Sequence, residues 1–196
     1  MTTMDRNELV ATEVETTRAA MVVVEEAEEI VAHRRSKVGY FWGLLRLSLG
    51  WTFFWGFIDK LFGLGFATGS EGAWINGGSP TNGFLAFATK GPLAEFYGGM
   101  AGNAVVDWMF MIGLLVIGLP LLLGVGVKLA GYVGAAMLML MYTAGFIFPE
   151  HNPFMDEHIV YAIIMIGLTV AGAGKYLGLG GIWTRTKLVK KDPILE

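Results

Sequence analysis

Four apolar stretches, at about residues 38–58, 107–127, 129–148 and 158–176, dominate this chain. Each is long enough to cross roughly 30 Å of hydrocarbon. A soluble chain of 196 residues would break such runs into periodic faces. The pattern therefore predicts an all-α protein, a four-helix transmembrane bundle. Charged residues make up only 16% of the chain, against about 25% in an average soluble domain. The first stretch nevertheless carries Arg46, inside Gly43-Leu44-Leu45-Arg46-Leu47-Ser48-Leu49-Gly50. Arginine at hydrocarbon depth costs several kcal/mol unless it finds a partner or snorkels, so this position is a functional candidate.

Loop charges set the expected orientation. Arg34, Arg35 and Lys37 precede the first stretch, and Lys128 separates the second from the third. Lys175, Arg185, Lys187, Lys190 and Lys191 follow the fourth. The two remaining loops hold Lys60 and Lys90 against Asp59, Glu71, Glu95, Asp107, Glu150, Asp156 and Glu157. The positive-inside rule then places both termini in the cytoplasm, with the acidic loops outside. The expected setting is the plasma membrane of a prokaryote, with the lipid bilayer as first partner and a homo-oligomer left open.

Three regions are expected: an acidic cytoplasmic tail with a short helix over 1–36, a four-span membrane domain over 37–182, and a basic cytoplasmic tail over 183–196. The first reads as a disordered tail to about Thr17. It then turns helical from Ala19 to His33, with Met21, Val24, Ala27, Glu28 and Val31 at three- and four-residue steps. A solvated helix and a docking helix for a partner are both compatible with this pattern; an acidic helix is a poor ligand for anionic lipid. No cleavable signal peptide is expected before the first stretch. The outer loop from about Leu61 to Val106 is long and rich in aromatic residues. Its short apolar pieces predict interfacial or re-entrant helices covered by protein.

With no cysteine in the chain, disulfides, thiolate-held iron–sulfur clusters, covalent haem attachment and a persulfide carrier are excluded. The basic residues are scattered or flank the spans, which excludes a nucleic-acid footprint.

Candidate chemistry gathers at two places. Gly43, Arg46 and Gly50 share a helix face with Phe53, Phe57 and Lys60. Small residues there let a neighbour approach, so Arg46 should point into the bundle. Asp59, about 20 Å along the helix, cannot neutralise it. Arg46 could snorkel to phosphates, cap carbonyls of the Pro120-interrupted second span, or hold a ligand with its fixed donors. The second place is the outer rim of Asn103, Asp107, Glu150, His151, Asn152, Asp156, Glu157 and His158. Histidine beside carboxylates suits proton exchange near neutral pH, while Asp156 also stands where a helix cap would. Trp51 and Trp55 read as interface anchors or core, or with Phe54 as a flat site for a quinone ring. A metal site from His151, Asp156 and His158 would be unspecific, and neither metal nor haem is expected.

These residues carry a resemblance. Leu45-Arg46-Leu47-Ser48-Leu49-Gly50, followed by Phe54, Gly56 and Lys60-Leu61, resembles the first helix of DoxX/DoxD-like membrane proteins. Gly113 through Gly126 is similar to their second. Asn152-Pro153-Phe154-Met155-Asp156-Glu157-His158, with Gly172-Ala173-Gly174-Lys175-Tyr176, resembles their third loop and last helix. Gly77-Gly78-Ser79-Pro80-Thr81 and Gly102-Asn103 through Asp107-Trp108 point to the DoxD branch, and the likeness covers about residues 40–182.

The resemblance implies a subunit of a quinone-linked oxidoreductase, joining two thiosulfates into tetrathionate and passing electrons to quinone. Arg46, Asp156 and His158 would then be catalytic. Lys60, Trp51, Trp55, Asn103, Asp107, His151 and Arg46 itself would bind ligand. A DoxA-type partner subunit is implied, since residues 1–196 hold no such sequence. Lys175 departs from the arginine common in relatives, and the acidic N-terminal segment is foreign to the family. An acidic rim is also a poor entrance for a dianion. The rival expectation is a non-catalytic membrane scaffold that recruits an oxidoreductase through its acidic helix. A small-solute transporter is a third, with only the Pro120 region as a broken span.

Overall fold

A computed structural model describes residues 6–145 and 154–196, and the side chains it describes begin at Glu15 and omit those of 19, 35 and 36. The described residues are helical, with no strand among them. They divide into two compact units, Met1–Gly39 and Tyr40–Glu196.

Helix α1 runs from Arg6 to Phe62 and contributes to both units. Helix begins well before Ala19, so the stretch from Arg6 to Thr17, expected as a disordered tail, is helical instead. Nothing between Arg6 and Phe62 breaks it: the segment contains no proline, and its few glycines lie late in the helix. It ends at Gly63, whose φ of 65° is the left-handed turn that closes helices and that glycine adopts without strain.

In the second unit, α2 (Asn82–Phe87) and α3 (Ala94–Gly98) lie in the long loop, followed by α4 (Ala104–Leu123), α5 (Val127–Gly145) and α6 (Glu157–Val170). The chain closes with α7 (Gly180–Trp183) and α8 (Lys187–Lys191). Helices α4 and α5 are long and apolar enough to cross a membrane. The fourth apolar stretch behaves otherwise. Helix was expected from His158 to Tyr176, but α6 has 14 residues, or about 21 Å at 1.5 Å per residue. It stops because Gly172 turns left-handed at φ 59° and a 3₁₀ turn follows at Ala173–Lys175.

Small residues bring the helices together. A Cβ on Gly50 would stand 2.9 Å from Leu122 N, and one on Gly118 would stand 2.5 Å from Phe54 N, so α1 and α4 touch backbone to backbone. Gly113 faces Met137 across α4 and α5, Gly134 faces Met165 across α5 and α6, and Gly167 faces Trp42 of α1. Close approach multiplies the dispersion contacts between the helices. The core that results joins Leu49, Phe53, Met111, Ile117, Leu121, Ala130, Leu138, Met165 and Leu168.

The loop after α1 folds back onto these helices. Tyr97 Oη lies 2.7 Å from Thr143 Oγ1, and Lys90 N donates to Ala144 O at 3.1 Å, which ties the α2–α3 region to the end of α5. At the other end, Lys128 in the first turn of α5 donates to Glu196, with Nζ to the carboxylate at 3.1 Å and the amide to the carbonyl at 2.8 Å. The 183–196 segment is thus folded and docked.

Candidate functional site

Arg46 is fully buried, at 0% exposure. Its Nη1 donates to the carbonyls of Leu121 and, at 3.2 Å, Leu122; its Nη2 donates to Tyr176 at 3.2 Å and Leu177 at 2.9 Å. Of the guanidinium nitrogens, Nε has no acceptor among the described residues. Of the three readings open from the sequence, carbonyl capping is the one observed. The acceptors lie just beyond Pro120, in the last turn of α4, and in the strand of chain after the Ala173–Lys175 turn.

The reason is a shortage of donors at a helix end. The last four carbonyls of a helix have no intrahelical N–H to receive, and in a dry setting each must find one elsewhere. All four at the end of α4 are accounted for. Pro120 O accepts from Gly124 N and Val125 N, Leu121 and Leu122 accept from Arg46, and Leu123 O accepts from Leu179 N at 2.8 Å. Gly124, at φ 75°, makes the turn that permits this, and a Cβ there would press on the guanidinium carbon at 3.3 Å. Leu177 adopts φ 54° without being glycine. Such a backbone costs about 1 kcal/mol or more, offset here by a charge-assisted hydrogen bond.

At the far end of the helices, two carboxylates are resolved in the opposite way. Asp59, 2% exposed, accepts from the backbone N–H groups of Phe66, Ala67 and Thr68. Asp107, 5% exposed, accepts from Thr81 N at 3.1 Å and Thr81 Oγ1 at 2.6 Å. Both therefore anchor the long loop. Asn103 caps α4 by accepting from Val105 N at 2.9 Å.

Asp156 and His158 form a partly exposed polar pair. Asp156 Oδ1 accepts from Ile159 N at 3.1 Å, capping α6, while Oδ2 meets His158 Nδ1 at 2.8 Å. A carboxylate on Nδ1 orients the ring and leaves Nε2 for exchange. The side chains are 22% (His158) and 15% (Asp156) exposed, so water or a substrate reaches them. His151 and its neighbours Glu150 and Asn152 lie outside the described residues.

Trp51 and Trp55 stack at 5.5 Å with 29° between their planes, and Phe66 meets Trp55 edge-on at 5.1 Å. Lys60 Nζ lies 5.9 Å from the centre of the Phe110 ring, a cation–π distance. These groups stand apart from Arg46. Asp156 and His158 start α6, whereas the Arg46 acceptors Tyr176 and Leu177 lie past its other end, about 20 Å away by helix rise. Arg46 and the Asp156–His158 pair thus occupy two separate places, the two at which the sequence gathers its candidate chemistry.

Carbonyl capping near Pro120 was open from the residues, but nothing there pointed to Thr81 as the partner of Asp107 or to Tyr176 and Leu177 as further acceptors for Arg46. The only available hint is the glycine density at 124–126 and 172–181, which admits the closely packed turns around the guanidinium. Among the described residues no cluster of three His, Asp or Glu is placed to hold a metal ion. Compared with protein-family models, curated proteins and solved structures, the chain matches none.

Proposed function

We propose that the chain is a four-span membrane protein, with both termini cytoplasmic, that serves as the membrane subunit of a quinone-linked oxidoreductase and works with a partner subunit. The observation that carries this is the use made of Arg46. A guanidinium whose four terminal N–H groups already hold the carbonyls of Leu121, Leu122, Tyr176 and Leu177 has little left for a substrate oxyanion. Its role here is to join α1, α4 and the segment after α6. The four-span arrangement is supported by the α1–α4 and α1–α6 glycine contacts, which give the first and fourth apolar stretches the same neighbours as α4 and α5. The DoxD resemblance supplies the donor, thiosulfate. Two thiosulfates joined through a new S–S bond release two electrons, and quinone with two protons becomes quinol. The stacked indoles of Trp51 and Trp55 offer a flat face to the quinone ring, and Asp156–His158 suits the proton transfer.

The test is reduction of a soluble quinone by the purified chain on adding thiosulfate, alone and with its co-purifying subunit. The expected result is turnover only in the assembly, falling about 100-fold in His158→Ala. An assembly that leaves quinone oxidised overturns the proposal. A second reading, catalysis by the lone chain, is favoured by the open Asp156–His158 pair, and turnover without the partner would select it.

A further inference from the structure

The first unit carries a surface that this reading does not use. From Ala20 to Val31 the side chains of α1 are exposed, including Val23 at 65% and Ile30 at 64%. At about 100° per residue, Ala20, Val23, Val24, Ala27, Ile30 and Val31 fall within about 120° of the circumference. Glu26 and Glu28 border that stripe, one on each side, each about 40° beyond its edge by the same geometry. Glu25 and Glu29 occupy the opposite face, and Arg34 continues the stripe at its C-terminal end.

We infer that this stripe docks a basic amphipathic helix of a partner protein, one whose apolar face is flanked by lysine or arginine. The spacing is that of a helix pair, in which apolar seams meet and flanking charges select the partner. The charges choose among occupants. Copies entering one membrane from the same side would align in parallel, which sets the Glu26 border of one copy against the Glu28 border of the other and Arg34 against Arg34. Like charges across a seam destabilise it. Anionic lipid is repelled by the same glutamates. A helix with basic flanks turns both borders into attractive pairs. The inference rests on the membrane-subunit reading only for the parallel alignment of copies.

The test uses the full-length chain in phosphatidylcholine nanodiscs. Two synthetic probes of about three heptads share one Leu/Ala apolar face; one carries lysine along both flanks and the other glutamate. Fluorescence anisotropy should show binding of the lysine probe and at least about tenfold weaker binding of the glutamate probe. Val23→Asp with Ile30→Asp should lower affinity for the lysine probe at least about tenfold, with helix content held constant by circular dichroism. Glu26→Lys with Glu28→Lys should reverse the preference between probes. The inference is overturned if neither probe binds, if both bind alike, or if the chain self-associates through the stripe, seen as an oligomer in sedimentation that Ile30→Asp dissolves. Binding is read without turnover, so an inactive quinone assay leaves this result standing, and a failure here leaves the quinone proposal untouched.

Discussion

The two ends of the helical domain solve the same problem with opposite charges. At one end the cation Arg46 is held by four backbone carbonyls; at the other the anions Asp59 and Asp107 are held by backbone N–H groups and one hydroxyl. Among the described residues, none of these three side chains is held by an ion pair. Backbone dipoles suffice because each end of the fold is where helices and turns leave one kind of group unpaired: carbonyls after α4, amides in the loop after α1. The difference lies in reach. Asp59 organises residues seven to nine positions away, whereas Arg46 joins segments 75 and 130 positions away. Loss of the first should loosen a loop, and loss of the second should part helices.

The contrast can be broken by mutation. Arg46→Leu should cost most, about 3–5 kcal/mol, because four acceptors are left in a dry interior. Denaturant titration in detergent micelles measures it, and a loss under 1 kcal/mol would show that water reaches the cradle. Arg46→Lys should recover less than half, since a point charge cannot span two carbonyl pairs. Asp107→Ala should cost about 2 kcal/mol, with faster hydrogen exchange at Thr81 and little change in α6. Equal spread over all helices would erase the local-versus-global distinction.

A smaller effect is expected where the pair is open. Asp156→Ala removes a helix cap and should cost about 1 kcal/mol, while also freeing the His158 ring, whose resonances would show it. Lys128→Gln, at a partly exposed contact with Glu196, should change stability by less than about 1 kcal/mol, and less still in high salt. A larger cost there would make the C-terminal segment a structural strut on a par with Arg46.

Local signals were legible in the residues themselves. Apolar run length marked α4 and α5, Asp156 stood out as a cap for α6, and Arg46 stood out as a charge in need of company. The long loop's aromatic, turn-rich text anticipated short helices, and α2 and α3 are there. The extent of α6 was not legible, because hydropathy is summed over a window and does not register where Gly172 takes a left-handed φ. The helix before Ala19 was missed for the opposite reason: charged residues lowered the hydrophobic signal without opposing helix formation.

What the chain determined by itself is therefore its helical character, two segments able to cross a bilayer, and a buried charge that has to be answered. Only the tertiary structure decided what answers it. Every residue carries the same carbonyl and the same amide, so no side-chain pattern distinguishes Leu121, Leu122, Tyr176 and Leu177 as acceptors for Arg46, or the Thr81 amide as a donor to Asp107. Their selection comes from where α4 ends, where the chain turns after α6, and how closely glycine lets the backbones approach.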